Sequence, residues 1–214
     1  MQEQNTSNRR PISSRSNIYI QKFASFLAKT KISPNQISIA SVFFSIIGSV
    51  FLLANTSFVG LIVCAICIQL RLFCNLIDGM VAIEGGKKST IGLLFNEFPD
   101  RIADSVLLIS LGYAIHFGAL GWFSALVAAL TAYIRVFRGS LGQEQDFRGP
   151  MAKQHRMAVM TIGCVLGIVE VYFTGSSLIS LLVASLIIAV GSVITCITRT
   201  KAIVDSLKPF RLSI

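Results

Sequence analysis

Long apolar stretches, each about the length needed to cross a bilayer, place the tightest constraint on this chain. Of its 214 residues, 53% are hydrophobic and only 14% are charged, whereas a soluble domain usually carries about 25% charged residues. Five stretches reach the roughly 20 apolar residues that a membrane-spanning helix needs, and a sixth of similar length carries unusual polar residues. We therefore predict an all-α integral membrane protein with a six-transmembrane-helix bundle.

The boundaries of these stretches divide the chain into four parts. Residues 1–15 are polar and predicted to be disordered. Residues 16–30 have apolar side chains near helical spacing, which suits an amphipathic helix in the membrane interface, although a surface helix packed on the bundle fits equally well. The membrane domain covers residues 33–200, and 201–214 form a tail. The predicted spans are 35–54, 58–83, 90–117, 120–141, 155–173 and 178–198.

Basic residues are distributed very unevenly among the connections. The segments 55–58, 117–121 and 174–177 contain no Lys or Arg, whereas the two ends and the connections at 84–89 and 142–156 hold nearly all of them. Because cytoplasmic segments collect Lys and Arg, this pattern predicts six spans with both termini in the cytoplasm. The net charge of +9 is thereby explained by topology, and we expect no nucleic-acid partner.

Charged and amide side chains cluster in the second and third predicted spans, where such residues are costly and usually functional. Helical periodicity puts each set on one face of its helix, and a short turn near residue 87 makes the helices antiparallel. Residues equidistant from this turn should therefore lie at equal depth. The set on the second span is Arg71, Asn75 and Asp78, and the set on the third is Asn96, Asp100 and Asp104.

Two kinds of contact are expected within this hairpin. Arg71 with Asp104, and Glu97 with Arg101 at i, i+4, are predicted to form structural ion pairs. A cluster of ion pairs and hydrogen bonds alone would leave Asp78 and Asp100 without a cation, and that shortage favours a bound metal. Four oxygen-bearing side chains can converge on a hard cation such as Mg²⁺ or Mn²⁺. These candidate ligands are Asn75, Asp78, Asn96 and Asp100.

The same residues resemble the signature of the CDP-alcohol phosphotransferases, D-x2-D-G-x2-A-R-x8-G-x3-D-x3-D. This chain has Asn75-x2-Asp78-Gly79-x2-Ala82-Ile83-x8-Gly92-x3-Asn96-x3-Asp100, with every spacing kept. The segment 33–38 resembles the family's entry to its first membrane helix, and 149–161 resembles its entry to the fifth. The departures are Asn75, Asn96 and Ile83, a pattern that resembles a divergent bacterial branch with N-x-x-D-G-M and N-E.

The resemblance implies roles for individual residues. Asp78 would bind metal and the CDP diphosphate, and Asp100 would act as general base. Asn75 and Asn96 would be weaker metal ligands, so that one ion or two could be bound. The missing arginine at Ile83 leaves the diphosphate to basic residues elsewhere. The CDP-binding candidates are Asp78, Gly79, Ala82 and Gly92, and the candidate phosphate contacts are Lys87, Lys88, Lys153 and Arg156.

The resemblance also implies an activity and a location. The expected reaction transfers a phosphatidyl or substituted phosphate group from a CDP-linked donor, such as CDP-diacylglycerol, to an alcohol acceptor with release of CMP. Relatives form homodimers, and a bacterial protein would lie in the inner membrane with its site facing the cytoplasm. Two alternatives remain: a catalytically impaired relative that binds CDP-lipid or a partner, which the three departures favour, and a small transporter.

The cysteines do not point to a redox or metal site. Cys64 and Cys67 form a C-x-x-C, but all five cysteines lie inside apolar runs. Thiols in such surroundings are usually inert packing residues, and we expect that role for them.

Overall fold

The computed structural model describes residues 17–87 and 91–208, apart from the side chain of Leu93. Within these residues the regular secondary structure is entirely helical. The predicted disordered segment 1–15 and the end of the predicted tail, 209–214, lie outside the described residues. Seven helices are described: α1 (Ile18–Ala28), α2 (Pro34–Ala54), α3 (Phe58–Glu84), α4 (Gly92–Ala114), α5 (Gly118–Ser140), α6 (Lys153–Thr174) and α7 (Leu178–Leu207).

Six long helices follow the short α1. Five of the described helices, α2, α3, α5, α6 and α7, are long and apolar enough to cross a membrane, so the prediction of a multi-pass α-helical membrane protein is confirmed. The sixth, α4, has 23 residues, but its first half carries the charged cluster. The last helix, α7, continues to Leu207, nine residues beyond the predicted end of the span, because its final turns are helical but too polar to appear as an apolar run.

Helix α2 begins at a strong local signal. Ser33 is its N-cap and accepts a hydrogen bond from the backbone N–H of Gln36, while the Gln36 side chain accepts one from the N–H of Ser33. Pro34 follows as the first helical residue, where its missing N–H costs nothing. This capping box fixes the entry of the chain into the bundle.

Helix α1 packs against the end of α3 that is near the α3–α4 turn. Ala24 is fully buried there, in a small cluster with Ile77 and Val81. Tyr19 and Phe26 point outward and are mostly exposed. The helix therefore contacts the bundle through one face and offers apolar side chains through another, so packing on the bundle and lying in the membrane interface are compatible.

The interior of the bundle combines a core of Leu, Ile and Met side chains with many small residues, which are typical of helices that pack in lipid. A close helix contact lies where α4 crosses α5: a Cβ added to Gly112 would come within 2.5 Å of the Cα of Gly121, so only glycine fits. Other large apolar side chains face outward over the bundle, as do Phe43, Trp122 and Leu166. The surface thus suits a hydrocarbon environment.

The cysteines are all unpaired. Cys64, Cys67 and Cys164 are buried between helices, and Cys67 lies against Gly48 of α2. These positions agree with a packing role.

Candidate active site

The α3–α4 hairpin brings its two polar faces into contact. The Asn75 amide donates a hydrogen bond to Oδ1 of Asp100 over 2.7 Å, and the Arg71 guanidinium forms an ion pair with Asp104. Both contacts join residues at equal distance from the turn, as an antiparallel hairpin requires. Pro99 lies inside α4 directly before Asp100, and because proline has no N–H, the helix lacks one hydrogen bond at this point.

Asp78 is buried in this hairpin, with 5% of its surface exposed. Its Oδ2 accepts a hydrogen bond of 2.6 Å from the Ser38 hydroxyl of α2. Its Oδ1 is buried and has no hydrogen-bond partner among the described residues. A buried carboxylate oxygen without a partner is rare and calls for an explanation, and a missing cation would supply one.

Asp100, 6% exposed, has a different environment. The Lys153 ammonium lies 2.5 Å from Oδ2, the Arg71 guanidinium lies 3.7 Å from Oδ1, and that of Arg101 lies 3.9 Å from Oδ2. The expectation that Asp100 has no cationic partner is therefore wrong. Lys153 begins α6, more than fifty residues away, and periodicity within the hairpin gave no sign of its approach.

Farther from the turn, Asp104 is paired with two arginines. Arg71 contacts its Oδ1 and Arg156 of α6 lies 2.8 Å from its Oδ2. Arg156 also donates to the carbonyl of Met151 over 2.8 Å and is only 1% exposed. A phosphate could not reach it there, so its predicted phosphate contact is replaced by a structural ion pair that the sequence did not reveal.

The remaining predicted contacts lie around this core. Glu97 pairs with Arg101 over 3.7 Å, and also with Arg135 of α5, which was not predicted. Lys87 donates to the carbonyl oxygens of Thr30, over 2.7 Å, and of Ile32, over 3.1 Å. Its ammonium thus fastens the α1–α2 linker to the α3–α4 turn.

Five other candidates lie on α3 and α4 or outside the described residues. Asn96 is exposed, one turn before Asp100 on α4. Gly79, Ala82 and Gly92 are partly buried near the turn. Lys88 lies outside the described residues.

An apolar groove of about 380 Å³ lies beside the site. It runs between α2 and α4 and is lined on one side by Ile39 and Phe43 and on the other by Phe95, Phe98 and Pro99. Because Pro99 precedes Asp100 directly in α4, the groove passes the depth of the carboxylate, on a helix face about 100° away. Its lining contains no polar surface, so it suits a hydrocarbon chain.

A divalent cation fits the donor set only in part. No three His, Cys, Asp or Glu side chains come together as a metal cage within residues 17–87 and 91–208. Mg²⁺, however, is usually held by one or two carboxylates together with substrate phosphates. The unpartnered Oδ1 of Asp78 is the oxygen that meets this need.

Comparisons with known proteins agree with these features. No protein-family profile matches the chain. The chain is 25% identical to a phosphatidylinositol phosphate synthase of Streptomyces avermitilis over 191 residues, which cover 85% of the chain and 76% of that protein. An uncharacterised protein of Aquifex aeolicus is 27% identical over 183 residues, which cover 84% of the chain and 86% of that protein.

Two crystal structures of the Mycobacterium tuberculosis phosphatidylinositol phosphate synthase share the fold at 20% identity. The structure with CDP-DAG bound has a TM-score of 0.73 and matches 91% of this chain and 97% of that one. The complex with manganese and citrate has a TM-score of 0.74 and matches 91% and 92%. The resemblance to the CDP-alcohol phosphotransferases that the motif indicates is thus confirmed, in sequence by the Streptomyces relative and in fold by the mycobacterial enzyme.

Proposed function

We propose that this protein is a membrane CDP-alcohol phosphotransferase of phospholipid biosynthesis. It transfers a phosphatidyl or substituted phosphate group from a CDP-linked donor to an alcohol acceptor and releases CMP. The observation that carries the proposal is the pair of buried aspartates on the α3–α4 hairpin: Asp78 of α3, with an oxygen unpartnered among the described residues, and Asp100 on the facing helix α4. The activity named for the Streptomyces relative and the CDP-DAG bound to the mycobacterial neighbour support it.

The proposed topology has six spans, with α4 as the sixth, and both termini in the cytoplasm. Residues 33–200 form the membrane domain, and residues 16–30 form a helix at its cytoplasmic surface. The distribution of Lys and Arg supports this orientation, which places the α3–α4 turn and the site on the cytoplasmic side. The bacterial relatives support a location in the inner membrane.

In the proposed reaction, Asp100 accepts the proton of the acceptor hydroxyl. The hydroxyl oxygen forms a bond to the phosphorus that carries the lipid, and the bond from that phosphorus to the CMP oxygen breaks. CMP leaves with the electron pair of that bond. The Asn75 amide holds Asp100 by a hydrogen bond, which fixes the carboxylate in one orientation.

One or two ions of Mg²⁺ or Mn²⁺ would be held by Asp78, with Asn75, Asn96 and Asp100 as the further candidates. When bound, such an ion neutralises charge on the diphosphate. The manganese in the mycobacterial neighbour supports a divalent cation. The Ser38 hydroxyl would orient the Asp78 carboxylate for binding this cation.

CDP-diacylglycerol is the proposed donor. Asp78, Gly79, Ala82 and Gly92 would contact the CDP group, because small residues let a flat ligand approach the helices. The apolar groove beside Asp100 supports a donor with an acyl chain over a water-soluble CDP-alcohol.

An anionic acceptor would be drawn to the basic residues at the same end of the bundle, among which Lys153 is the candidate phosphate contact nearest Asp100. A homodimer, as relatives form, is part of the proposal.

A catalytically impaired relative is the second candidate. It is favoured by Asn75, Asn96 and Ile83, which replace two acidic ligands and one arginine of the family signature. Such a protein would bind CDP-lipid without turnover.

The test is CMP release by the protein in nanodiscs. Labelled CDP-diacylglycerol would be supplied with Mg²⁺ or Mn²⁺ and with glycerol phosphate, inositol phosphate, inositol or serine. We expect metal-dependent release with one acceptor and loss of release in Asp78→Ala and Asp100→Asn. Asp205→Asn is the matched control, because Asp205 is an exposed carboxylate at the end of α7. CDP-lipid binding without release with any acceptor would establish the impaired relative instead.

A further inference from the structure

Lys153 occupies an unfavourable position for a cation. It is the first residue of α6, and the first turn of that helix contains no acidic residue. The N-terminus of a helix carries partial positive charge, so a cation there is disfavoured by about 0.3–1 kcal/mol. The side chain instead reaches α4 and forms an ion pair with Asp100, which offsets this cost.

The segment that presents Lys153 is held in place on both sides. The backbone N–H of Met151 donates to the Thr195 hydroxyl of α7 over 2.9 Å, and the Met151 carbonyl accepts from Arg156 over 2.8 Å. Met151 and Ala152 are 5% and 4% exposed. Gly149 allows the turn before them with a φ of 114°, which other residues rarely adopt. Lys153 is thus aimed at Asp100 by fixed backbone.

The two aspartates of the site differ in what they still offer to a metal. In Asp100, Oδ1 accepts from the Asn75 amide and Oδ2 contacts the Lys153 ammonium. In Asp78, Oδ1 is buried without a hydrogen-bond partner in the part of the chain that the structure describes. A carboxylate whose two oxygens already face an amide donor and a cation is a poor ligand for a further cation, since like charges repel.

We propose that the Lys153 ammonium is the resident cation and positioning group of Asp100, so that the site takes a single divalent ion, at Asp78. The inference rests on the proposed function, which leaves the number of ions open. It also explains why residue 75 is Asn. The Asn75 amide donates to Asp100, which the aspartate of the family signature at position 75 could not do.

The experiment counts Mn²⁺ ions. Protein in nanodiscs that contain CDP-diacylglycerol would be titrated with Mn²⁺, free ion would be measured by electron paramagnetic resonance, and bound ions would be examined for Mn²⁺–Mn²⁺ spin coupling. We expect about one ion per chain without spin coupling in the wild type. Lys153→Met should bind about two, because Asp100 loses its nearest cation and keeps only the arginines at 3.7 and 3.9 Å among those described. Lys153→Arg, which keeps the charge, should bind about one.

Two further variants keep the result decisive if Lys153→Met fails to fold. Asn75→Asp exchanges the donor for a carboxylate beside Asp100, but it leaves Lys153 in contact with Asp100, so the count should stay at about one. Asp78→Ala should bind none. Two coupled ions in the wild type would overturn the proposal, and so would two ions in Asn75→Asp or an unchanged count in folded Lys153→Met.

CMP release in the same preparations separates this inference from the proposed function. Two ions in an active wild type would refute the role of Lys153 and leave the phosphotransferase intact. One ion in a wild type that binds CDP-lipid but releases no CMP would refute turnover and leave the role of Lys153 in place. No bound ion in the wild type would refute the inference.

Discussion

The α3–α4 hairpin contains two polar layers that use the same residue types in opposite ways. The turn-proximal layer consists of Asn75, Asp78 and Asp100, and the turn-distal layer consists of Arg71, Asp104 and Arg156. Both oxygens of Asp104 are paired with buried arginines, whereas Oδ1 of Asp78 has no hydrogen-bond partner among the described residues. The comparison identifies Asp104 as a structural carboxylate and Asp78 as the carboxylate with an oxygen left for a ligand. Asp100 lies between the two cases, because its oxygens face the Asn75 amide and the partly exposed Lys153.

Energetics explains why the two layers should respond differently to mutation. A buried ion pair contributes little net stability, but removal of one partner leaves a charge that neither water nor protein compensates. The turn-distal layer should therefore fail by unfolding. The turn-proximal layer should lose function while the fold survives, because the Lys153 side chain that pairs with Asp100 is 24% exposed and water can compensate its charge, unlike those of the buried arginines.

The largest effect is expected for Asp100→Asn. Asparagine keeps the shape of the side chain but cannot accept the proton of the acceptor, so the rate of CMP release should fall by about 10²–10⁴-fold. The unfolding midpoint should change little. Asp205→Asn is the control and should retain full activity. If Asp100→Asn unfolds more easily but each folded molecule releases CMP at the wild-type rate, Asp100 has a structural role instead.

The next largest effect is expected for Asp104→Asn, now on stability. Arg71 and Arg156 would lose the carboxylate that both of them contact, and the free energy of unfolding should drop by about 3–5 kcal/mol. Unfolding in a mixed-detergent titration measures it.

A triple variant sharpens this test. Arg71→Met, Asp104→Leu and Arg156→Met together replace the ion pairs by apolar contacts, which should restore most of the stability. If the triple variant is as unstable as Asp104→Asn, the turn-distal layer supplies more than charge compensation.

The turn-distal layer also shows where sequence reasoning succeeded. Arg71 and Asp104 were paired because a short turn between antiparallel helices fixes which residues lie at equal depth, and this is local information. The helix boundaries likewise follow from apolar runs and from the helix-start signal at Ser33 and Pro34.

The partners that were missed all come from other helices. Ser38 reaches Asp78 from α2, Lys153 reaches Asp100 from α6, and Arg135 reaches Glu97 from α5. Their approach depends on how helices separated by tens of residues pack and rotate. No periodicity within one helix contains that information. The expectation that Asp100 lacks a cation failed for this reason.

A smaller effect is expected for Ser38→Ala, which tests the pairing of Asp78 directly. Loss of a hydrogen bond to a charged, buried group costs about 1.5–3 kcal/mol, so the Mn²⁺ concentration for half-maximal CMP release should shift by about 10–100-fold. The maximal rate should change less. Ser38→Thr keeps the hydroxyl and should restore the wild-type value. If Ser38→Ala alters only the unfolding midpoint, the hydroxyl supports the fold and not the ligand.

The smallest effect is expected for Glu97→Gln, at the exposed edge of the turn-proximal layer. The Glu97 side chain is 36% exposed and those of Arg101 and Arg135 are 25% and 14% exposed, so water partly screens both pairs and each should contribute about 0–1 kcal/mol. A double-mutant cycle with Arg135→Gln, followed by unfolding and by CMP release, should give a coupling energy within this range and leave the maximal rate nearly unchanged. Glu97 is adjacent to Asn96 but about 100° round the helix, so it cannot replace the missing carboxylate there. A large change in the metal dependence of CMP release in Glu97→Gln would contradict this and would add Glu97 to the ligands of the metal ion proposed at Asp78.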